Sequence, residues 1–207
     1  MGLEEVLAAE LTALGARHVV PGNRVVNCKG DLEIMYRANV ELRTAIRVLV
    51  PIAEFMSHDE DSFYRMMQKT DWSKYVANNG TIWLDSTVLS PRFSNSQYIS
   101  RLGKDAIVDQ FRDKTGERPS VEKEDPDLRI NVHIGKLGHT TISLDSSGDG
   151  LHRRGYRRRT GPAPLNEVSA AGLVLLADYK GERPFVDPMC GSGTIVCEAA
   201  MIAANRA

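Results

Sequence analysis

Pro184-Phe185-Val186-Asp187-Pro188-Met189-Cys190-Gly191-Ser192-Gly193-Thr194 runs from an apolar segment through an acid-proline step into a glycine turn. The pattern predicts a short strand ending at a sheet edge, a turn, and a helix opened by Thr194. Gly191 and Gly193 let the backbone pass close to a ligand without Cβ atoms in the way. The unpaired N–H groups of the helix's first turn favour an electron-rich group there. The chain ends at Ala207, so only the opening of this cofactor-binding domain is expected.

The turn discriminates among nucleotide ligands. A dinucleotide fold needs a third glycine where Val196 stands, and a Walker loop needs Gly-Lys-Ser/Thr, which the chain lacks. What remains is a smaller, uncharged or zwitterionic ligand, such as the methionine end of S-adenosylmethionine. Asp187 at the strand's carboxyl edge can attract an ammonium or sulfonium charge. The alternative is a strand-to-helix turn that binds nothing. Cys190 reads as a small packing residue of the turn more readily than as a nucleophile.

Upstream, two α+β units are expected. Leu3, Val6, Leu7, Leu11 and Leu14 recur at helical spacing before Gly15. Pro21-Gly22-Asn23 then turns a hairpin between two β-branched runs. Asp31 caps a helix through Ile34, Met35, Ala38 and Leu42, and residues 45–52 read as a strand. The second unit opens near Ser57 with a helix bearing Phe63, Met66 and Met67, followed by a strand over residues 81–89. Asn95 or Ser96 caps a long helix, and Leu128, Ile130, Val132 and Ile134 alternate with polar residues before a Gly135–Gly138 turn and a return strand. His133 falls on the polar side of that alternation. Trp72, Tyr75, Trp83 and Tyr98 could stack on bases but, beside apolar neighbours, read more readily as core.

Residues 151–164 form a basic, proline-containing connector. His152, Arg153, Arg154, Tyr156, Arg157, Arg158 and Arg159 include no acid. Guanidinium groups around an aromatic suit phosphates and stacked bases, so RNA contact is expected here. The competing reading is a solvated linker paired with acids such as Glu122, Glu124, Asp125 and Asp127. A net charge of −1 excludes a globally basic nucleic-acid binder and leaves this local segregation as the signal. Three scattered cysteines fit neither a disulfide framework nor a zinc site, and no apolar run is long enough to span a bilayer. A cytoplasmic protein with no metal and no membrane partner is expected.

Asp187 to Thr194, with Glu198-Ala199-Ala200 after it, resembles the first cofactor motif of the THUMP-containing RNA methyltransferases, most closely the bacterial enzymes that methylate guanine N2 in 23S ribosomal RNA. Leu151-His152-Arg153-Arg154-Gly155-Tyr156-Arg157 and Ala163-Pro164-Leu165-Asn166-Glu167 resemble the segment joining that family's THUMP and catalytic domains. Gly2-Leu3-Glu4-Glu5-Val6-Leu7 and the order of elements extend the likeness upstream. The resemblance implies an α+β N-terminal region, with a ferredoxin-like unit over 1–55 and a THUMP RNA-binding domain over 56–150. A basic linker over 151–164 and the beginning of an α/β Rossmann-like methyltransferase domain over 165–207 follow.

It also implies S-adenosylmethionine as cofactor and RNA as partner, ribosomal RNA first and transfer RNA as the alternative. Asp187, Cys190, Gly191, Ser192, Gly193 and Thr194 would form the cofactor turn, with Leu165 and Asn166 lining the pocket. The family's strand ahead of the first helix has no counterpart, since this chain starts at the helix. Its Asn-Pro-Pro-aromatic motif, which holds the target amine, occurs nowhere in the chain. An acid for the ribose would lie at or past Ala207. The chain alone is therefore expected to be inactive, and its parent to transfer a methyl group. A THUMP protein of another chemistry, such as thiolation, or a module that only binds RNA, is the rival reading. A DNA adenine methylase would leave the upstream units unexplained.

Overall fold

The computed structural model describes residues 2–157 and 164–206. The chain divides into two compact units, one continuous over Leu49–Gly148 and one assembled from Met1–Val48 and Asp149–Ala207.

The discontinuous unit starts with α1 (Glu4–Ala13), the antiparallel pair β1 (Arg17–Pro21) and β2 (Val26–Lys29), and α2 (Leu32–Glu41). Asp31 caps α2 as expected, its carboxylate accepting the Ile34 N–H at 3.0 Å. Leu11, Leu14, Ala38, Leu42 and Ala45 make the core between these elements, with Leu7, Ile34 and Leu151 against it. A charged residue completes the packing. The Glu10 carboxylate accepts the backbone N–H groups of Arg43 and Thr44 at 2.9 and 3.0 Å, fixing the turn after α2. The unit's remaining helices are α5 (Glu167–Leu176) and α6 (Thr194–Ala203), joined by a small core of Val174, Tyr179 and Ala199 with Phe185 and Ile195.

The continuous unit is a five-stranded sheet, β3 (Leu49–Met56), β4 (Thr81–Val88), β5 (Ser120–Val121), β6 (Leu128–Ile134) and β7 (His139–Asp145), in the order β3-β7-β6-β4-β5. The β6–β7 hairpin is antiparallel, and β4 runs parallel to both β5 and β6. Helices α3 (Glu60–Lys69) and α4 (Ser96–Thr115) supply Phe63, Met67, Ile99, Ile107 and Phe111 to a core completed by Ile82, Leu84, Ile130 and Val132 of the sheet. Asn95 caps α4 through the Tyr98 N–H at 2.7 Å. The alternation in β6 is as the sequence implies, with Leu128, Ile130, Val132 and Ile134 buried and His133 exposed.

Three expectations need correction. The strand placed over residues 45–52 in the first unit is β3, displaced toward Met56, and it belongs to the other sheet. There β7 offers it a ladder from Leu49 opposite Asp145 to Met56 opposite His139, whereas Ala45 is buried against α1 and α2. Pro184–Val186 is not a strand, because among the described residues no neighbour supplies ladder hydrogen bonds. Of the aromatics read as core, Trp72 is fully buried, but Tyr75 and Tyr98 are exposed. Trp83 is half-buried under the Lys123 ammonium at 5.9 Å.

One buried polar residue ties α4 to the end of α3. Gln110 donates to the Gln68 and Thr70 carbonyls at 2.6 and 2.7 Å and accepts the Trp72 N–H at 3.2 Å. Gln110→Leu fills the same space but strands all three backbone groups. It is expected to lower stability by about 3 kcal/mol, read from the urea midpoint.

Candidate cofactor-binding site

The turn between Asp187 and α6 is built mostly from its own backbone. Asp187 Oδ1 accepts the Met189 N–H at 3.1 Å, folding the acid-proline step back on itself. The Gly193 N–H then donates to the Cys190 carbonyl at 2.7 Å, closing a tight turn against the start of α6. Gly191 and Gly193 take φ of +52° and +75°, a region that costs an L side chain about 1–2 kcal/mol. A Cβ built on either glycine meets no atom within 4 Å, so open space lies beside both. The first N–H groups of α6 have no side-chain cap, because Gly193 stands at the cap position.

Beside this turn lies an open cavity of about 370 Å³, within the usual range for small-ligand pockets. Leu165, Asp187, Cys190, Gly191, Ser192 and Thr194 line it, so the structure brings together most of the residues expected at the cofactor turn. Gly193 shapes the turn without lining the cavity. Asn166 does neither. Its side chain accepts the N–H groups of Val168 and Ser169 at 3.0 and 3.4 Å and serves as the N-cap of α5. Pro164, Met189 and Ile195 add apolar wall that the sequence reading missed.

The basic connector is the main departure from expectation. Arg154, expected to face RNA, lies inside the unit with its side chain 6% exposed, its Nε 3.2 Å from Oε1 of fully buried Glu198. It also donates to the Arg43 carbonyl. The Tyr156 hydroxyl donates to the same Glu198 oxygen at 2.8 Å, and the residue is half-buried. Burial pushes the Glu198 carboxyl above the usual carboxylate range, while Tyr156 and Arg154 pull it back. Burial, then the bond to Glu198, raises the Tyr156 hydroxyl above its ordinary value.

Arg157 is committed as well. Its Nε pairs with Glu167 at 3.1 Å, and Nη2 donates to the Leu165 carbonyl at 2.8 Å and to Thr194 Oγ1 at 3.2 Å. The physical reason is shared. Glu167 and Glu198 are carried into the interior on apolar helices, and a buried carboxylate demands a cation and donors. An acid among Ile195, Ala199 and Ile202 in α6 was the available signal. Arg153 keeps a side chain 68% exposed, 3.7 Å from Asp149, and His152 is half-buried. Arg158 and Arg159 lie outside the described residues. The acids at 122–127, weighed as partners for this segment, belong to the other unit.

Among the described residues no cluster of His, Cys, Asp or Glu could hold a metal ion, and no helix is long and apolar enough to cross a membrane. Cys28, Cys190 and Cys197 are free thiols.

Comparison with known proteins gives three consecutive family matches. An RlmL ferredoxin-like domain matches residues 1–49, a THUMP domain 57–145, and an RMKL-like methyltransferase domain 154–207. The chain is 43% identical over 210 aligned residues to the ribosomal RNA large subunit methyltransferase K/L of Syntrophotalea carbinolica, covering all of this chain and 29% of that protein. A crystal structure of a predicted N6-adenine-specific DNA methylase from Listeria monocytogenes superposes with a TM-score of 0.85 at 32% identity, covering 99% of this chain and 53% of that one. SMU.472, solved in complex with SAH, gives 0.82 at 31% identity, covering 98% and 53%. The chain thus spans between 29% and about half of the length of such relatives. The architecture is an α+β N-terminal region, ferredoxin-like and THUMP, followed by the start of a Rossmann-like methyltransferase domain. On these matches the chain belongs to the family of proteins that join an RlmL-type ferredoxin-like domain and a THUMP domain to an RMKL-like methyltransferase domain.

Proposed function

We propose that the full-length protein containing this chain transfers a methyl group from S-adenosylmethionine to N2 of a guanine in 23S ribosomal RNA. The observation that carries the reading is the cavity at the glycine turn. Open space beside Gly191 and Gly193, the Ser192 hydroxyl, the free N–H groups of α6 and the Asp187 carboxylate suit a zwitterionic amino-acid end. SMU.472, similar over nearly the whole chain, is known with SAH bound. The relative from Syntrophotalea carbinolica carries the name of a large-subunit ribosomal RNA methyltransferase, which favours that RNA.

When bound, the cofactor supplies a methyl group on a sulfonium, whose departure leaves a neutral thioether. This chain's residues bind and orient. The glycine turn and Ser192 receive the carboxylate, Asp187 the ammonium, and the apolar wall of Leu165 and Ile195 excludes water. The THUMP-matched unit captures structured RNA, and exposed Arg153 of the other unit supplies a phosphate contact. The Asn-Pro-Pro-aromatic motif does not occur in the chain, so orientation of the target amine falls to the rest of the parent protein, and the chain alone is inactive. The protein works in the cytoplasm, where ribosomal RNA is modified.

The deciding experiment incubates the full-length protein with labelled S-adenosylmethionine and 23S RNA from cells lacking the corresponding gene. Digestion should yield labelled N2-methylguanosine. Label in another nucleoside would replace the guanine assignment, and no label in any RNA would end the methyltransferase reading.

A further inference from the structure

We infer that Arg157 is a positioning residue for the methyl donor, acting through a directed chain of hydroxyl groups that turns the Ser192 hydroxyl into a donor facing the cavity. The inference rests on the cofactor reading above and adds to it a residue that the sequence assigned to RNA.

Three contacts carry the argument. Arg157 Nη2 bridges the Leu165 carbonyl and Thr194 Oγ1, at 2.8 and 3.2 Å, and so joins two residues that line the cavity, one ahead of α5 and one at the start of α6. Its Nε is held by the Glu167 carboxylate at 3.1 Å, and the two side chains are only 15% and 12% exposed. Thr194 Oγ1 lies 3.1 Å from Ser192 Oγ, a pair in which either hydroxyl could donate.

Arginine removes that ambiguity. A guanidinium has five donors and no acceptor, so Thr194 Oγ1 can only accept from it. The charge beside Thr194 Oγ1 favours an O–H that points away from the guanidinium, which directs the Thr194 proton to Ser192 Oγ, 3.1 Å away. The Ser192 hydroxyl, having accepted, turns its own proton toward the cavity. A site that would otherwise present an indifferent hydroxyl presents a donor, polarised by a cation two bonds behind it. Such a donor favours an anionic oxygen, the carboxylate of the cofactor's amino-acid end. It gives nothing to a thioether nucleoside that lacks this end. Thr194 is itself 4% exposed, so water does not compete for its hydroxyl from the side away from the cavity. The fork also matters. Lysine would satisfy Glu167 but could not hold the Leu165 carbonyl and Thr194 in the same planar geometry.

The experiment uses the full-length protein and two probes that share the thioether nucleoside, SAH and 5′-methylthioadenosine, which lacks the amino-acid end. Calorimetry on the wild type comes first. If neither probe binds, the cofactor reading fails and the inference with it. If both bind, Arg157→Ala is expected to weaken SAH by about 10- to 30-fold, the usual worth of a charge-assisted bond, and to change 5′-methylthioadenosine less than about 2-fold. RNA affinity should stay at the wild-type value. Equal loss of both probes would make Arg157 a merely structural residue and overturn the inference, as would an unchanged SAH affinity.

Thr194→Val provides the same reading should Arg157→Ala fail to fold, because it deletes only the middle hydroxyl. It must reproduce the split between the probes. In the double variant the two losses should not add, since both break one chain. Additive losses would mean that the two residues act separately.

Discussion

Glu198→Ala is expected to lower the stability of the chain by about 3–5 kcal/mol, the usual cost of deleting one member of a buried ion pair. The size follows from what remains. Arg154, with a side chain 6% exposed, keeps its charge and loses the carboxylate it is paired with. Tyr156 loses its acceptor, and a void opens under α6 next to Ala199. Differential scanning calorimetry at neutral pH measures the effect directly, and a loss below about 1 kcal/mol would show that the interior tolerates the bare guanidinium.

Glu198→Gln separates charge from shape. Because burial outweighs its partners, the folded-state value of this carboxyl lies above its ordinary 4.5. The native state therefore binds more protons than the unfolded chain between those two values. The contribution is fully present below the ordinary value and is lost as pH rises through the raised one. The glutamine variant does not titrate, so relative to wild type it should gain stability as pH rises through that window. A difference that stays flat with pH would show that Arg154 and Tyr156 balance burial, and one that runs the other way that they outweigh it.

The second large effect belongs to the cavity. Gly193→Val in the full-length protein should weaken SAH binding at least ~100-fold. A valine at φ +75° carries roughly 1–2 kcal/mol of backbone strain, relieved by unwinding the turn that closes on the Cys190 carbonyl. That turn orients both the first N–H groups of α6 and the Ser192 hydroxyl. Gly191→Val, at φ +52°, adds branched carbon directly to the cavity lining and should act as strongly. RNA affinity should change little in either variant. Retained SAH binding would mean that the cofactor sits elsewhere.

Glu198 and Gly193 mark the two ways in which the sequence spoke. The glycines at 191 and 193 were legible because a positive φ and a close approach leave a mark in residue type itself. The caps at Asp31 and Asn95 were legible for a similar reason, since the side chain acts on its own next turn. The alternation from Leu128 to Ile134 named the buried face of β6 before any neighbour was known.

The errors have the opposite character. Residues 45–52 and 184–186 have strand composition, but a strand is a relation to a partner. The β7 ladder decided where the first segment pairs, and the absence of a ladder among the described residues left the second without regular structure. Asn166 was assigned to the pocket by likeness, while its carboxamide is engaged by the N–H groups of α5.

The sequence by itself determined the local devices: the glycine turn, the helix starts, the apolar faces and an acid-free run of arginines. Only the tertiary structure decided what Arg154 and Arg157 do. Charge along a chain looks solvated until folding brings Glu167 and Glu198, 10 and 44 residues beyond Arg157 and Arg154, into the same dry interior. A buried carboxylate then claims the nearest guanidinium, because desolvating either ion alone costs more than any surface contact returns.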